Sequence, residues 1–114
     1  METLQKNWQF RICYAHGQKI VCEHAVVFYH TNPDADGLRF GVVASKRVGG
    51  AVKRNRAKRL LRDAARSVAD KWNNGDLWVV LVAKSSITAV ASQEVRDDLE
   101  RRFARAGLLA EKIE

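Results

Sequence analysis

The side chains best suited to chemistry in this sequence are lysines and arginines concentrated between positions 39 and 66. That window holds ten basic residues and one acid, Asp63, which gives a formal charge of +9. The whole chain carries +7, so the residues outside the window are slightly acidic. Positive charge confined to one part of a chain is typical of a site for a polyanion. We therefore expect a nucleic-acid partner.

After Gly49 and Gly50 the apolar residues change to helical spacing. One arc of the predicted helix is apolar and holds Ala57, Leu60, Leu61, Ala64, Ala65, Val68 and Trp72. The opposite side carries a polar stripe at i, i+4, i+7 and i+11, which consists of Asn55, Arg59, Arg62 and Arg66. Two more basic residues, Arg56 and Lys58, flank this stripe.

The stripe suits a nucleic-acid backbone. Its side chains repeat at about 5 to 6 Å per turn, close to the phosphate spacing of a strand, and guanidinium groups bind phosphate oxygens in pairs. The alternative is an ordinary solvated helix face. Such faces usually mix charges for i, i+4 pairing, whereas here only Asp63 is acidic.

The elements that must position this helix follow from the remaining patterns. A first helix over residues 4–16 ends at Gly17, the basic helix ends near residues 73–75, and a last helix covers residues 92–106. Apolar and β-branched runs predict four strands, over residues 19–23, 25–30, 38–45 and 77–83. The order αβββαβα predicts a single α+β domain over residues 1–114, a two-layer α/β sandwich with a four-stranded mixed sheet.

The residue types of a protein enzyme are present but scattered. A catalytic centre would need a nucleophile with a base, a metal cluster or paired carboxylates. The histidines come from different predicted elements and have no metal-ligand spacing to the cysteines. The histidines are His16, His24 and His30, and the cysteines are Cys13 and Cys22. We expect both cysteines to be reduced, although a disulfide is possible on spacing alone.

Asp97 and Asp98 are the only adjacent acids on a predicted helix. Neighbours on a helix point about 100° apart and cannot share a proton, so we expect both carboxylates to be solvated. No stretch approaches the roughly 18 to 20 apolar residues of a membrane span, and the first residues lack the apolar core of a signal peptide. We expect a cytoplasmic protein.

The middle of the chain resembles a known family. The matching stretch begins Phe-Gly-Val-Val-Ala-Ser-Lys-Arg-Val-Gly at residues 40–49 and continues over residues 51–62. It closely resembles the signature of the bacterial ribonuclease P protein component, whose core is Arg-Asn-Arg, then, one residue on, Lys-Arg-Leu and Arg. Here these are Arg54, Asn55, Arg56, Lys58, Arg59, Leu60 and Arg62. Looser similarity extends over nearly the whole chain.

The resemblance implies a fold and a function. The fold would be ribosomal protein S5 domain 2-like, with a left-handed βαβ crossover around the basic helix. The chain would be the non-catalytic protein subunit of ribonuclease P, an endoribonuclease that removes the 5′ leader of precursor tRNA. Its RNA would perform the hydrolysis with Mg²⁺, and one protein would bind each RNA. The predicted contacts to the catalytic RNA are Arg54, Asn55, Arg56, Lys58, Arg59, Arg62 and Arg66.

The resemblance also implies a cleft for the single-stranded leader. Its aromatic residues would be Phe10, Tyr14 and Phe28, on which unpaired bases stack with little sequence preference. Phosphate contacts would come from Arg11, Lys46 and Arg47. The alternative for each aromatic residue is ordinary core packing.

Two other functions remain open from sequence. A ribosomal or other structural RNA-binding protein of related fold would share the basic helix but would not need the aromatic cleft. A free-standing nuclease would need the carboxylates or histidines that appear scattered.

The chain departs from the family pattern in three places. Only Lys6 is basic before Phe10, so we expect few contacts from an N-terminal arm. Ala57 and Ala65 stand where the family often has bulkier residues, which predicts that a neighbour fills the space. Arg54 falls toward the apolar side of the helix, so we expect it at the helix entry rather than in the stripe.

Overall fold

The structure is a computed structural model that describes residues 2–31, 37–72 and 76–109. It contains five strands, three α-helices and one 3₁₀ helix within those ranges. In chain order they are β1 (Glu2–Thr3), α1 (Asn7–His16), β2 (Gln18–Val21), β3 (Ala25–His30), β4 (Leu38–Val43), α2 (Ala51–Asp70), β5 (Leu77–Ala83), the 3₁₀ helix (Ser85–Ala89) and α3 (Ser92–Arg105).

The predicted elements are present, with small differences at their ends. β3 and β5 have the predicted limits, while α1 begins at Asn7 rather than residue 4. The reason is the Gln9 side chain, whose Oε1 accepts the backbone N–H groups of Gln5 and Lys6 at 3.0 Å and fixes a non-helical entry. α2 ends at Asp70, and the predicted stop at residues 73–75 lies outside the described residues.

The sheet is mixed, with the strand order β1-β4-β5-β3-β2. β4 runs parallel to both β1 and β5, and the remaining pairs are antiparallel. α2 therefore joins two adjacent parallel strands. The four predicted strands form the sheet, and the two-residue β1, too short to show any periodicity, extends it beyond β4.

The main core lies between one sheet face and the two longer helices. Fully buried Leu61 and Val68 of α2 and Leu99 and Phe103 of α3 share one cluster with Val79 of β5. α1 covers part of the opposite face, where Cys13 packs with Trp78 and Val80. Among the described residues, no helix is long and apolar enough to cross a membrane.

The two small residues of α2 are fully buried. Ala57 and Ala65 lie in the same cluster as Phe40, Ile87 and Phe103, the bulkiest of which come from β4 and α3. Large side chains from neighbouring elements thus share this cluster with the alanines. That a neighbour fills the space beside each alanine stays a prediction. The short alanine side chains let the helix lie close to these neighbours.

The adjacent acids of α3 have different environments, and the prediction that both are solvated is wrong for Asp98. Asp97 is exposed, whereas Asp98 is only 2% exposed. Its carboxylate accepts the backbone N–H groups of Glu23 and His24 at 3.1 and 3.0 Å. Asp98 therefore provides the hydrogen-bond acceptors for the backbone N–H groups of the turn between β2 and β3. The helix pattern around Asp98 does not reveal this contact.

Replacing Asp98 with alanine should destabilise the fold. Two backbone N–H groups, one buried and one partly buried, would lose their acceptor, which we expect to lower the free energy of unfolding by about 2–5 kcal/mol. Asp98→Asn keeps one acceptor oxygen and should fall between the wild type and Asp98→Ala. Chemical denaturation measures the three proteins.

The matched control is Asp97→Ala, which removes the same charge from the neighbouring exposed position. It should change stability by no more than about 0.5 kcal/mol. Equal losses for the two alanine variants would show that charge in the middle of α3, and not the turn contact, stabilises the fold.

Candidate nucleic-acid interface

The outward side of α2 is a basic surface that the described part of the chain leaves without counter-charges. Its exposed members are Asn55, Arg56, Arg59, Arg62 and Arg66. Within residues 2–31, 37–72 and 76–109, none of these side chains forms an ion pair or hydrogen bond. Like charges this close repel, so binding of an anion would relieve that repulsion. We call this set the basic stripe.

The single acid of the charged window does not neutralise the basic stripe. Asp63 Oδ2 accepts a hydrogen bond of 2.6 Å from Nη1 of Arg96 on α3. The carboxylate is therefore already paired with an arginine from another helix.

The two remaining basic candidates of α2 are partly buried. Lys58 is half-buried, and Arg54 is half-buried near the start of the helix, where its backbone N–H donates to the carbonyl of Gly50 at 2.9 Å. The Arg54 Nε atom is buried without a partner among the described residues. Arg54 thus lies at the helix entry, as its position on the helical wheel predicts.

A glycine makes the turn into α2 possible. Gly49 has φ +139°, a conformation that L side chains rarely adopt, and a Cβ there would come within 2.6 Å of the Lys53 side chain. The chain leaves β4, turns at Ser45 to Gly49 and starts the helix at Ala51. This turn fixes where the basic stripe begins.

The three predicted aromatic residues lie on the sheet face that α1 covers. Tyr14 meets Phe28 edge to face, with ring centroids 5.0 Å apart. Phe10 lies against Gly41, where an added Cβ would come within 2.5 Å of the ring. Both contacts fall on one row of the sheet, because Gly41 and Phe28 each pair with Val80. Topology thus brings together aromatic residues far apart in sequence.

A half-exposed apolar row lies next to this aromatic row. Val43 and Val26 each flank Val82 on the same sheet face, and all three are partly exposed. An open cavity of about 430 Å³ extends from this floor to a basic end beyond the strands, and its lining is Val26, Ser45, Arg47, Val82, Ala83, Lys84, Ser85 and Ser86. We call the aromatic row, the apolar floor and the basic end the groove.

The predicted phosphate contacts of the groove differ in placement. Arg47 lines the cavity, and its backbone N–H donates to Ser45 Oγ at 3.3 Å. Lys46 is exposed in the same turn. Arg11 is exposed on α1 and lines neither this cavity nor the one beside Phe10. The structure therefore brings Arg47, but not Arg11, to the basic end.

Lys84 is a basic residue of the groove that the sequence reasoning missed. It follows β5 as Arg47 follows β4, and the carboxyl ends of these parallel strands lie side by side. Its Nζ donates to the carbonyl of Cys22 at 2.6 Å, which fixes the ammonium group and leaves further N–H groups for a ligand. The strand order could have revealed Lys84, because the carboxyl ends of neighbouring parallel strands lie close together.

The basic stripe and the groove meet beside β1 and β4, at one edge of the sheet. Arg62 from α2 and Phe10 from α1 line one cavity of about 210 Å³, together with Thr3, Leu4, Phe40, Gly41 and Val42. A single nucleic-acid molecule could therefore contact both surfaces without crossing the protein.

Potential metal-ligating side chains stay dispersed among the described residues. No group of three histidine, cysteine or acidic side chains is placed to hold a metal ion within those residues. His24 is buried, with Nδ1 3.1 Å from Ser86 Oγ, and the His16 and His30 rings are 6.4 Å apart.

Both cysteines are free and buried on opposite faces of the sheet. Burial raises the pKa of Cys13 to about 11; burial, with a contribution from Asp98, raises the pKa of Cys22 to about 12. Both thiols are therefore protonated near neutral pH and are poor nucleophiles.

Relatives of known identity match almost the entire chain. The family model for ribonuclease P matches residues 1–107. The chain is 34% identical over 113 residues to the ribonuclease P protein component of Fusobacterium nucleatum subsp. nucleatum, covering 96% of this chain and 100% of the relative. It is also 34% identical over 106 residues to that of Symbiobacterium thermophilum, covering 93% and 91%.

Solved structures share the fold. The RNase P protein of Staphylococcus aureus matches with a TM-score of 0.82 at 23% identity, over 96% of this chain and 99% of that one. The RNase P protein from Thermotoga maritima matches with a TM-score of 0.77 at 23% identity, over 92% and 97%. On the family model and the sequence relatives, this chain belongs to the ribonuclease P protein family.

Proposed function

We propose that the chain is the protein subunit of ribonuclease P and binds both the catalytic RNA and the 5′ leader of precursor tRNA. The observation that carries the proposal is the unneutralised basic stripe beside an aromatic groove. A structural RNA-binding protein would need the first surface but not the second. Family membership agrees with this assignment.

The basic stripe binds the catalytic RNA in this proposal. Its arginines are exposed, lie on a helix anchored by a fully buried apolar side, and have no acidic partners among the described residues. Bidentate guanidinium contacts to successive phosphates then hold a large RNA without reading its sequence. The half-buried Lys58 and Arg54 complete this surface.

The groove binds the single-stranded leader. Bases stack on Phe10, Tyr14 and Phe28, and phosphates reach Arg47, with Lys46 and Arg11 as outer contacts. The partly exposed valine floor offers apolar contact without base-specific hydrogen bonds, which suits a protein that accepts many leader sequences. Lys84 adds a second fixed charge at the basic end.

Cleavage belongs to the RNA in this proposal. Mg²⁺, which RNA groups would mainly hold, would supply the charge that activates water for attack on the phosphodiester bond. The described part of the chain groups no set of metal ligands of its own, so the protein holds and orients the substrate. One protein would act with each RNA in the cytoplasm.

Reconstitution tests the function directly. Purified protein with a cognate catalytic RNA should cut precursor tRNA at physiological Mg²⁺, because the protein raises substrate affinity. The protein alone should not cut. If the protein cut precursor tRNA after all copurifying RNA had been removed, the chain would instead be a free-standing nuclease.

The double variant Arg59→Ala with Arg62→Ala should weaken binding to the catalytic RNA. Each lost phosphate contact should flatten the plot of log affinity against log salt by roughly one unit. The control, Arg101→Ala with Arg105→Ala, removes the same charge from exposed positions of α3. If both pairs flatten the slope equally, net charge and not the basic stripe determines binding.

The variant Phe10→Ala should weaken binding of leader-bearing tRNA by about 1–3 kcal/mol, the value of one stacked base. Binding of mature tRNA should change little. Trp8→Ala is the matched control, since Trp8 is 49% exposed on α1 but packs against Trp78 outside the groove. Equal losses for leader-bearing and mature tRNA would indicate that Phe10 serves folding.

A further inference from the structure

A second basic cavity lies on the other flank of α2, against the start of α3. It is open, has a volume of about 360 Å³, and is lined by Arg56, Arg59, Leu60, Asp63, Ser92 and Arg96. Three arginines from two helices thus surround one depression with an apolar side chain in its wall. The family signature contains the two arginines of α2 but says nothing of α3.

Arg96 is held in place before any ligand binds. Its Nη1 donates to Asp63 Oδ2 and its Nη2 to Gln93 Oε1, both at 2.6 Å. Gln93 is fixed in turn, because its Nε2 donates to Asp97 Oδ1 at 2.8 Å. The guanidinium group keeps further N–H donors beyond these two bonds. A side chain already ordered loses little entropy when it binds a ligand.

The charges around the cavity are unbalanced. Asp63 is its only acid and is paired with Arg96, whereas Arg56 and Arg59 have no acidic partner in the described part of the chain. A ligand that completes this set must be an anion with several acceptor oxygens. A phosphate group meets that requirement and suits guanidinium geometry.

We propose that this cavity binds a backbone phosphate of the catalytic RNA and that Arg96 is an RNA contact on α3. The inference rests on the proposed function, since Arg59 belongs to both the basic stripe and the cavity. Packed helices lie about 8–10 Å apart, a distance that an RNA strand spans in one or two nucleotides. The RNA footprint then extends sideways from α2 onto α3.

The test compares two single charge losses on α3. Arg96→Gln should lower affinity for the catalytic RNA roughly tenfold and flatten the salt dependence by roughly one unit. Arg101→Gln, an exposed residue outside the cavity, should leave the slope unchanged. Equal slopes for the two variants would overturn the inference. Thermal melts of both proteins identify any loss of folded protein.

A second variant avoids disturbing the contact between the helices. Ser92→Glu places a carboxylate in the cavity at the first residue of α3, where a negative charge favours the helix. It should weaken RNA binding relative to Ser92→Gln, which has the same size without the charge. Equal binding by these two proteins would also overturn the inference.

The outcomes separate this inference from the proposed function. If Arg59→Ala with Arg62→Ala weakens RNA binding but Arg96→Gln and Ser92→Glu do not, the footprint ends on α2 and only the inference fails. If none of these variants affects RNA binding, the proposed role of the basic stripe fails as well.

Discussion

The structure depends on α2 staying folded while one of its sides carries unpaired like charges. Repulsion among Arg59, Arg62 and Arg66 opposes the helix, and it is opposed in turn by the fully buried apolar side that includes Leu61 and Val68. Anchorage in the core is therefore what allows the charge to remain exposed. The pairing of Asp63 with Arg96 then joins α2 to α3 without neutralising the basic stripe.

The flanks of α2 give the basic stripe two different neighbourhoods. Arg62 faces the sheet edge, where it shares a cavity with Phe10, and Arg59 faces α3, where it shares one with Arg96. The helix is thus a ridge between two depressions. The parallel arrangement of β4 and β5 adds the third basic region, because it brings Arg47 and Lys84 to one end of the sheet.

Sequence patterns predicted the regular elements and the stripe well, because amphipathic periodicity is a local property. They failed where the cause is distant in the chain. Asp98 resembles its solvated neighbour until the turn at Glu23 and His24 folds against it. Lys84 belongs to no charge pattern in the sequence, and only the strand order places it near Arg47. The placement of Phe10, Tyr14 and Phe28 near one row of the sheet was predicted only from the family resemblance, since spacing alone also allowed core packing.

The contact between Phe10 and Gly41 has a consequence for the shape of the groove. Because the ring lies directly on main-chain atoms, the missing side chain at residue 41 determines how low the aromatic group sits. A single methyl group at that position would lift the Phe10 ring and make the groove shallower, although no charge and no ring would be lost. The depth available to a polynucleotide thus depends on the missing Cβ atom of Gly41. No count of basic or aromatic residues would reveal this feature.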